Sequence, residues 1–324
     1  MQNFEKVNQE IKRKFVEFIP RINKKKRLCL SWSNWGFGQE KLQVSIRRLA
    51  KFGVRFLELH GNRYGEGLGY DADEVKRIAS DEGVKVAGIC GMFSAENDLS
   101  SISGIQRQNA IDYLKRNLDL GVKLGAEYFL VVPGAVGRST PYGTYEFNRS
   151  VDTLRKVAHL FVESGVKAAV EPIRSAEVSF CHTFKEAKEY IEAVNHPGVQ
   201  HINGDIYHML TEEDHIAGTI LDYGKYLINL HMADTNRRAL GKGMMDLDTI
   251  LRALYLIGYN EKGHFCTPEP LGPGGDPYPA MHGLQQRSVL DLLVKDTAGY
   301  FRAREQKIFD NPLIYSPKTW PEKM

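Results

Sequence analysis

The sequence predicts a single-domain (β/α)8 barrel, an α/β fold, and three observations support this class. Eight short apolar runs alternate with helix-like segments over residues 27–306, which is typical of consecutive parallel βαβ units. The chain has 324 residues, enough for one barrel of about 250 residues, although two smaller domains would also fit this length. No break in composition divides the alternation, and no glycine-rich phosphate-binding loop follows a strand, which disfavours an open nucleotide-binding sheet.

The predicted elements follow one another in a regular order. Residues 1–26 are predicted to form an N-terminal helical extension with a basic link, and residues 307–324 a C-terminal tail. Between them, the apolar runs predict eight strands, residues 27–32, 54–60, 84–92, 127–133, 166–171, 199–205, 226–231 and 264–269. The helices predicted after these strands are residues 39–52, 71–82, 105–124, 145–164, 183–194, 211–223, 246–257 and 284–306.

The predicted helices depend on apolar spacing and on stop signals. In the first of them, Leu42, Ile46 and Leu49 recur every three or four residues, which is the spacing of one helix face. Gly53 follows this helix, and glycines also follow the helices predicted to end at residues 82, 124, 164 and 257. Because a left-handed C-cap favours glycine, these positions mark helix ends.

The charge and hydrophobicity of the chain argue against several classes of protein. The formal net charge of +3 is close to neutral, whereas nucleic-acid-binding domains usually carry a strong basic surface. Residues 24–27 are the only dense basic cluster, which we interpret as a solvated segment before the first strand. No apolar run approaches the roughly 20 residues that span a bilayer. We therefore expect a cytoplasmic protein with reduced cysteines, no membrane segment and no nucleic-acid partner.

Four consecutive predicted strands end in residues that can bind a metal ion. We call these four residues the quartet: Glu171, Asp205, His231 and Glu269. One acid at a strand end is usually a helix N-cap, and one histidine is usually a core residue with its hydrogen bonds satisfied. Four such residues on neighbouring strands, however, meet on the face where these barrels place active sites. Three carboxylates and one imidazole predict a single divalent ion, Mn²⁺ or Mg²⁺ before Zn²⁺, with Co²⁺ as a further alternative.

Further polar residues lie in the loops that follow these strands. Glu177, His208 and Arg237 come after the fifth, sixth and seventh strands, where they can contact a polyhydroxylated substrate. Asp234, in the last of these loops, can orient His231 through a hydrogen bond or cap the loop. The two interpretations of Asp234 are equally supported.

The second strand and the aromatic residues add candidates for the pocket. This strand ends in Glu58-Leu59-His60, and because side chains alternate along a strand, we expect His60 to face the pocket. Four aromatic residues can either line the apolar face of a sugar or pack the barrel mouth, and both interpretations stay open for Trp32, Trp35, Phe37 and Phe93.

Two carboxylates beside a bound metal ion suggest proton transfer. A divalent ion polarises a carbonyl, and a carboxylate can then remove the proton from the neighbouring carbon to give an enolate. Glu171 and Glu269 are the natural acid and base, one for each face of the substrate.

Four motifs resemble a known family. VEPIRSAE, NGDIYHM, NLHMADTNRRALGKG and TPEPLGPGGDP are similar to the xylose-isomerase-like TIM barrels of the sugar isomerase and epimerase group, which includes ketose 3-epimerases. The resemblance spans roughly residues 27–306, and it implies that the four strand-end residues hold Mn²⁺ or a similar ion. It also implies that Glu171 and Glu269 exchange protons. The sugar contacts that it implies are Glu177, His208 and Arg237.

The chain departs from the ketose 3-epimerases in several places. After the first ligand and its proline, those enzymes carry an Asn-Arg pair, whereas this chain has Ile173-Arg174-Ser175. In this respect, and in the segment EPLGPGGDPYPAMHG, the chain resembles the large subunit of bacterial C-glycoside deglycosidases. That branch, with a small partner subunit, cleaves 3-keto-C-glycosides by the same proton abstraction followed by elimination. The resemblance implies a sugar or glycoside substrate and an oligomer, which in this branch includes the small partner subunit.

Two other functions are less favoured. A metal-dependent apurinic endonuclease shares the barrel, but it needs several histidine and acid ligands and basic DNA-contacting loops, unlike this nearly neutral chain with one histidine in its quartet. A degenerate barrel that only binds sugar or supports an assembly is a non-enzymatic alternative, and the intact quartet argues against it.

Overall fold

The structure, a computed structural model, describes residues 4–62, 69–271 and 277–314. It confirms the predicted (β/α)8 barrel. The strands are β1 (Cys29–Leu30), β2 (Phe56–His60), β3 (Lys85–Cys90), β4 (Tyr128–Val131), β5 (Lys167–Val170), β6 (Val199–Asp205), β7 (Leu227–Met232) and β8 (Phe265–Pro268). All are parallel, in the order β1-β8-β7-β6-β5-β4-β3-β2. Between β1 and β2 the Glu58 backbone N–H donates to Trp32 O at 2.8 Å, which brings the two edges of the barrel together.

Helices alternate with the strands and pack around them. They are α1 (Phe4–Phe18), α2 (Leu42–Lys51), α3 (Ala72–Asp81), α4 (Gly104–Leu124), α5 (Glu146–Arg155), α6 (Ala158–Ser164), α7 (Phe184–Val194), α8 (Ile206–Glu212), α9 (Ile216–Tyr223), α10 (Leu247–Leu256), α11 (Tyr259–Lys262), α12 (Pro277–His282) and α13 (Arg287–Asp310). Short 3₁₀ turns span Ile19–Arg21 and Asn34–Phe37. None of the helices in the described part of the chain is long and apolar enough to cross a membrane.

The prediction of one helix over residues 211–223 is wrong. Helix α8 begins directly after β6, because the Asp205 carboxylate accepts a hydrogen bond from Tyr207 N–H and caps the new helix. Helix α9 then starts separately, where the His215 ring accepts from Gly218 N–H. Residues 145–164 are likewise divided into α5 and α6 by a tight turn at residues 156–157.

Other boundaries shift by a few residues. Strand β1 is limited to Cys29–Leu30 within the predicted residues 27–32, and α13 covers Arg287–Asp310 rather than 284–306. Helices α11 and α12 have no counterpart in the prediction. Residues 63–68, residues 272–276 of the last motif and residues 315–324 of the predicted tail lie outside the described part of the chain.

The N-terminal helix packs on the side of the barrel. Ile11 and Phe15 of α1 are buried, and the helix lies along α10. Near its start, Asn8 Oδ1 lies 3.1 Å from His215 Nε2, which joins α1 to the loop before α9. Residues 4–18 therefore contribute to the packing of the barrel wall.

The barrel interior changes from apolar to polar towards the carboxyl ends of the strands. An apolar cluster is formed by the buried residues Ala87, Tyr128, Ala169, Ile228 and Phe265. Nearer the carboxyl ends are fully buried polar side chains, which we call the polar layer: Glu58, Asn203, Asn229 and Thr267. Because residues two apart share one side of a strand, Phe265, Thr267 and Glu269 form a column from the apolar cluster through the polar layer to the open face. Since branched apolar residues usually fill such an interior, a buried polar layer is unusual. We expect it to support the residues that lie above it at the carboxyl face.

Candidate active site

The structure brings the four strand-end residues together at the carboxyl face of the barrel. Glu171 follows β5, Asp205 ends β6, His231 lies in β7, and Glu269 follows β8. All four are buried, with 1–6% of each residue exposed. His231 Nδ1 lies 3.4 Å from Glu171 Oε1 and 3.3 Å from Glu269 Oε2. One ligand atom each from Asp205, His231 and Glu269 falls within 4.8 Å of the others, close enough to share one metal ion.

The His231 ring is oriented by a carboxylate on the opposite side from this group. Its Nε2 lies 2.9 and 3.0 Å from the two oxygens of Glu58, so Nδ1 faces Glu171 and Glu269. Burial opposes a positive charge on His231, but the carboxylates of Glu269 and Glu58 outweigh it and hold the pKa of His231 well above its ordinary value. Burial likewise opposes charge on Glu58, yet His231 lowers the pKa of Glu58 below its ordinary value. The 2.9 Å approach of the His231 ring to the Glu58 carboxylate contributes to both shifts.

Asp205 supplies a buried oxygen that suits a metal ion. Its Oδ1 accepts a hydrogen bond from Tyr207 N–H at 2.8 Å. Its Oδ2 has no hydrogen-bond partner of good geometry among the described residues, although His208 Nε2 lies 3.2 Å away. Burial favours the neutral acid, but His208, His231 and Arg237 outweigh it and hold the pKa of Asp205 below its ordinary value. A buried anionic oxygen without a satisfied bond is costly, and a divalent cation would satisfy it.

The two glutamates of the group are held by different donors. Glu171 Oε1 accepts a hydrogen bond from Asn203 Nδ2 at 2.8 Å, and Glu269 Oε2 accepts one from Trp35 Nε1 at 2.6 Å. Burial, together with the negative charges of Asp205 and Glu171, raises the pKa of Glu269 to about 8. Both carboxyl groups lie within 3.4 Å of His231 Nδ1, and each accepts a side-chain hydrogen bond that favours one orientation.

Two guanidinium groups and two aromatic rings form the rim of the site. The Arg237 guanidinium lies 4.5 Å from the Tyr207 ring centroid and 5.6 Å from that of Trp35. The Arg174 guanidinium lies 4.9 Å from the same Tyr207 ring and donates to its hydroxyl at 3.1 Å. Arg174 Nε also donates to Glu177 Oε1 at 2.6 Å. Glu177, predicted to contact a substrate, is therefore already paired with a cation at the rim.

The backbone of Arg237 is held in an unusual conformation. Its φ of +59° lies in the left-handed region, which residues other than glycine rarely adopt. Its N–H donates to Asp234 O and its carbonyl accepts from Leu271 N–H, both at 2.7 Å. The Asp234 carboxylate caps the same loop by accepting from Gly241 N–H at 2.7 Å and Met245 N–H at 3.0 Å. Of the two interpretations of Asp234, the structure favours the loop cap, since Glu58 occupies the position beside His231.

His208 and His60 differ in their relation to the group. His208 is buried, and its ring nitrogen, with one oxygen each of Glu171 and Asp205, forms a second group within 4.8 Å. His60 belongs to neither group of strand-end residues; its N–H donates to Asn34 Oδ1 at 2.7 Å, and it lines a separate cavity of about 120 Å³ beside Trp35. Burial lowers the pKa of His60 to about 3, so its ring is neutral.

One of the four aromatic candidates contacts the quartet, and the other three pack at the barrel mouth. Trp35 contacts the site through its indole N–H. Trp32 stacks on Phe37 with ring centroids 5.9 Å apart, and Phe93 packs edge-on against Tyr113 at 5.4 Å. For these three residues the structure shows ordinary packing of the barrel mouth.

An arginine connects the loops on the other side of the mouth. Arg138, after β4, donates to Asp98 Oδ2 at 3.1 Å, to Ser179 Oγ at 3.1 Å and to the Glu146 carboxylate. Its backbone N–H donates to Glu177 O at 3.0 Å. We call Arg138, Asp98, Glu146 and Ser179 the loop clamp. It ties the loops after β3, β4 and β5 to each other and holds the backbone that carries Glu177.

Sequence reasoning missed the polar layer, although a signal for it was present. Asn203, Asn229 and Thr267 each stand two residues before a member of the quartet, so each shares a strand side with that residue. Glu58, the carboxylate beside His231, is not among the residues predicted for the pocket, where the sequence favours His60. Its role depends on the closure between β1 and β2, which no local pattern reveals.

Comparison with known proteins gives consistent matches. A sequence profile of the family described as xylose isomerase-like TIM barrel matches residues 46–285. The chain is 33% identical over 221 residues to a D-psicose 3-epimerase of Ruminiclostridium cellulolyticum, covering 66% of this chain and 74% of that protein. It is 26% identical over 235 residues to a 3-dehydro-D-guloside 4-epimerase of Escherichia coli, covering 70% and 87% respectively. The solved structure of a D-psicose 3-epimerase with D-tagatose from Clostridium cellulolyticum H10 has the same fold, with a TM-score of 0.73 at 24% identity over 86% of this chain and 99% of that chain.

Proposed function

The chain belongs to the xylose isomerase-like TIM-barrel family, and from that premise we propose that it is a divalent-metal-dependent sugar epimerase or isomerase. The reaction is removal and return of a proton on a carbon next to a sugar carbonyl, through an enolate. The observation that carries the proposal is the buried group at the open face, in which His231 Nδ1 lies 3.3–3.4 Å from the carboxylates of Glu171 and Glu269.

The names of the relatives support one shared chemistry. A ketose 3-epimerase inverts the carbon beside the ketose carbonyl, and a 3-dehydro-D-guloside 4-epimerase inverts the carbon beside a carbonyl at position 3. In both cases the carbon that is inverted carries a proton that the adjacent carbonyl makes more acidic. The step common to both is therefore transfer of this α-proton to and from a general base.

The quartet fits one divalent ion. Glu171, Asp205, His231 and Glu269 would hold it, since three carboxylates and one imidazole suit Mn²⁺ first, with Mg²⁺, Co²⁺ or Zn²⁺ as alternatives. The unsatisfied Asp205 Oδ2 supports this assignment. A bound ion supplies Lewis-acid polarisation of the substrate carbonyl.

Glu171 and Glu269 are the residues proposed to move the proton. Each carboxylate is oriented by one N–H donor, from Asn203 and Trp35 respectively, so neither has to reorganise before proton transfer. Both carboxylates lie 3.3–3.4 Å from His231 Nδ1, and we assign one of them to each face of a flat enolate. Inversion at the α-carbon requires this arrangement, because the proton leaves from one face and returns to the other.

Four further residues are proposed to bind the substrate, namely Arg237, His208, Glu177 and His60. Arg237 is the strongest candidate, since the residue is 6% exposed and its guanidinium lies over two aromatic rings without a hydrogen bond from Nε to any described residue. His208 is next to Asp205, and Glu177 presents a carboxylate that Arg174 holds in place. His60 would contact only a substituent that reaches the cavity beside Trp35.

A second candidate function is cleavage of 3-keto-C-glycosides by the same proton abstraction followed by elimination. The observation that favours it is Ile173, which stands where the 3-epimerase pattern has asparagine and directly precedes Arg174, the rim residue that contacts both Glu177 and Tyr207. A changed rim indicates a changed substituent on the sugar, while the proton-transfer residues below it stay the same.

The test is proton exchange in D₂O. The purified protein is loaded with Mn²⁺ and incubated with a ketohexose and, in a separate sample, with a 3-keto-C-glycoside. NMR and mass spectrometry then follow deuterium uptake and products. Deuterium at the α-carbon with a new ketose diastereomer supports the epimerase, and release of the aglycone supports the elimination reaction. Absence of exchange into both substrates by metal-loaded, folded protein would contradict the proposal.

Two variants and a control test whether Glu171 and Glu269 carry out the proton transfer. Glu171→Gln and Glu269→Gln keep side-chain size but remove the base, so exchange should fall by at least about 100-fold. Glu305→Gln is the matched control, because Glu305 is 1% exposed and accepts its hydrogen bonds from Leu28 N–H, the Tyr255 hydroxyl and Arg302, away from the quartet. Equal exchange rates in all three variants would refute the assigned roles.

A further inference from the structure

The most unusual feature beneath the site is Glu58, a carboxylate inside the barrel. It is fully buried, at 0% exposure, and it lies in β2, on the far side of His231 from the quartet. A buried ionised carboxylate is expensive unless it is paired and hydrogen-bonded. The hydrogen bonds that stabilise the buried Glu58 carboxylate therefore indicate its role.

Three side chains from two other strands contact the Glu58 carboxylate. Tyr128 of β4 donates its hydroxyl proton to Glu58 Oε2 at 2.7 Å, and Asn229 of β7 donates an amide proton to the same oxygen at 3.1 Å. His231 of β7 places Nε2 at 2.9 Å from Oε1 and 3.0 Å from Oε2. With donors converging on it from separate strands, the carboxylate has a single orientation and can impose one on the imidazole.

We propose that Glu58 is a positioning residue for the metal site, fixing His231 with Nδ1 directed at the ion. The inference rests on the proposed function in that it takes the quartet to be a metal site. An imidazole that donates from Nε2 must keep its lone pair on Nδ1 when it is neutral. Glu58 thus selects the tautomer that can bind a cation from the side of Glu171 and Glu269.

A second chain of hydrogen bonds runs from Glu58 to another member of the quartet. Asn229 Nδ2 also donates to Asn203 Oδ1 at 2.7 Å, and Asn203 Nδ2 donates to Glu171 Oε1 at 2.8 Å. Thr267 Oγ1 donates to Asn229 Oδ1 at 2.6 Å, which fixes which end of that amide faces Glu58. The polar layer therefore orients His231 directly and Glu171 through two amides.

One other interpretation of Glu58 exists. One ligand atom each from Glu58, Cys90 and His231 falls within 4.8 Å of the others, so these residues could themselves hold a metal ion. Burial, however, raises the pKa of the Cys90 thiol well above its ordinary value, which disfavours the thiolate that a metal requires. The hydrogen bonds from Tyr128 and Asn229 also occupy Glu58 Oε2. Positioning is the better supported role.

Metal affinity tests the role without using enzyme activity. Mn²⁺ binding is measured by isothermal titration calorimetry on the wild-type protein and on Glu58→Gln. In the variant, Tyr128 and Asn229 still donate to the amide oxygen, so the amide N–H₂ faces His231 and favours the tautomer with a proton on Nδ1. We expect the dissociation constant for Mn²⁺ to rise by about 10- to 100-fold, with circular dichroism showing an unchanged fold.

Asp248→Asn is the matched control. Asp248 is also 0% exposed and is bonded to an arginine, Arg304 of α13, outside the barrel interior. This variant should lose stability but bind Mn²⁺ as tightly as the wild type. A merely structural role of Glu58 would lower stability in both variants and change metal affinity in neither.

A further variant and one spectroscopic measurement cover the case in which Glu58→Gln does not fold. Glu58→Asp keeps the charge but shortens the side chain, so its affinity should fall between those of the wild type and Glu58→Gln. In the Zn²⁺-loaded wild type, ¹⁵N NMR should show a proton on His231 Nε2 and none on Nδ1. A proton on Nδ1, or unchanged affinity in both Glu58 variants, would overturn the positioning role. Failure of the wild type to bind Mn²⁺ would instead remove the proposed function on which that role rests.

Discussion

Trp35→Phe is the substitution that most directly separates orientation of a catalytic group from packing of the barrel mouth. Trp35 is 6% exposed, and its indole N–H donates to Glu269 Oε2 at 2.6 Å. Phenylalanine keeps an aromatic ring against Arg237 but removes this donor. Glu269 then loses the bond that fixes its orientation 3.3 Å from His231 Nδ1.

The size of the effect follows from the type of hydrogen bond. A hydrogen bond to a charged group contributes about 1.5–3 kcal/mol. If this energy is realised when Glu269 is the ionised partner in proton transfer, each 1.36 kcal/mol costs a factor of ten in rate. The substitution should therefore lower kcat/KM by about 10- to 160-fold, mainly through kcat.

The assay is the initial rate of deuterium incorporation at saturating Mn²⁺. Trp32→Phe is the matched control, because Trp32 is 1% exposed and stacks on Phe37 rather than contacting the quartet. We expect the control to lower thermal stability and to leave the rate per folded, metal-loaded molecule within about threefold of the wild type. If both variants lose rate equally, the loss comes from packing, and the argument for orientation of Glu269 fails.

Three further predictions concern the rim and the loop clamp. Arg237→Lys should raise KM more than it lowers kcat, because lysine keeps the charge but loses the planar stacking on Tyr207; steady-state kinetics with an unchanged KM would contradict this. Arg138→Met leaves Asp98 and Glu146 buried without their cation, so the free energy of unfolding should fall by about 3–5 kcal/mol in urea titrations; a loss below about 1 kcal/mol would show that the pairs contribute little. Burial raises the pKa of Glu146, but hydrogen bonds from Arg138 and Ser179 outweigh it and hold the pKa below its ordinary value of 4.5. The ionised group therefore stabilises the fold fully above that value and progressively less as the pH falls through the lowered folded-state pKa. The difference in Tm between wild type and Glu146→Gln should be constant at neutral pH and shrink below pH 4.5, and a difference independent of pH would rule out this linkage.

The fold could be predicted because its signals are local and repeated. Apolar runs such as residues 166–171 and 226–231 lie on strands β5 and β7, and the glycines after α4 and α6 have the left-handed conformation that ends a helix. The quartet could be proposed for the same reason. In parallel strands with a common direction, residues at the carboxyl ends meet on one face. The sequence pattern is sufficient to propose this site, because the regular barrel topology determines where the strand ends lie in space.

The remaining features depend on contacts that sequence spacing does not contain. Asp205 is both a member of the quartet and the cap of α8, and His215 caps α9 separately, so that two short helices replace the single one that periodicity predicts. Glu58 meets His231 only because the barrel closes between its first and second strands. The Arg174–Glu177 pair depends on a side-chain direction within a loop. In each case the local sequence allows several arrangements of similar energy, and contacts with distant parts of the chain select one of them.

The left-handed backbone of Arg237 has an evolutionary consequence. A residue other than glycine at φ +59° carries a strain of about 1–3 kcal/mol, which glycine would relieve. Selection for a more stable barrel would therefore favour glycine at position 237, whereas selection for turnover retains the guanidinium. In a directed-evolution experiment that rewards only thermal tolerance, this position should drift towards glycine. The variants that arise there would show directly how much stability the chain has exchanged for activity.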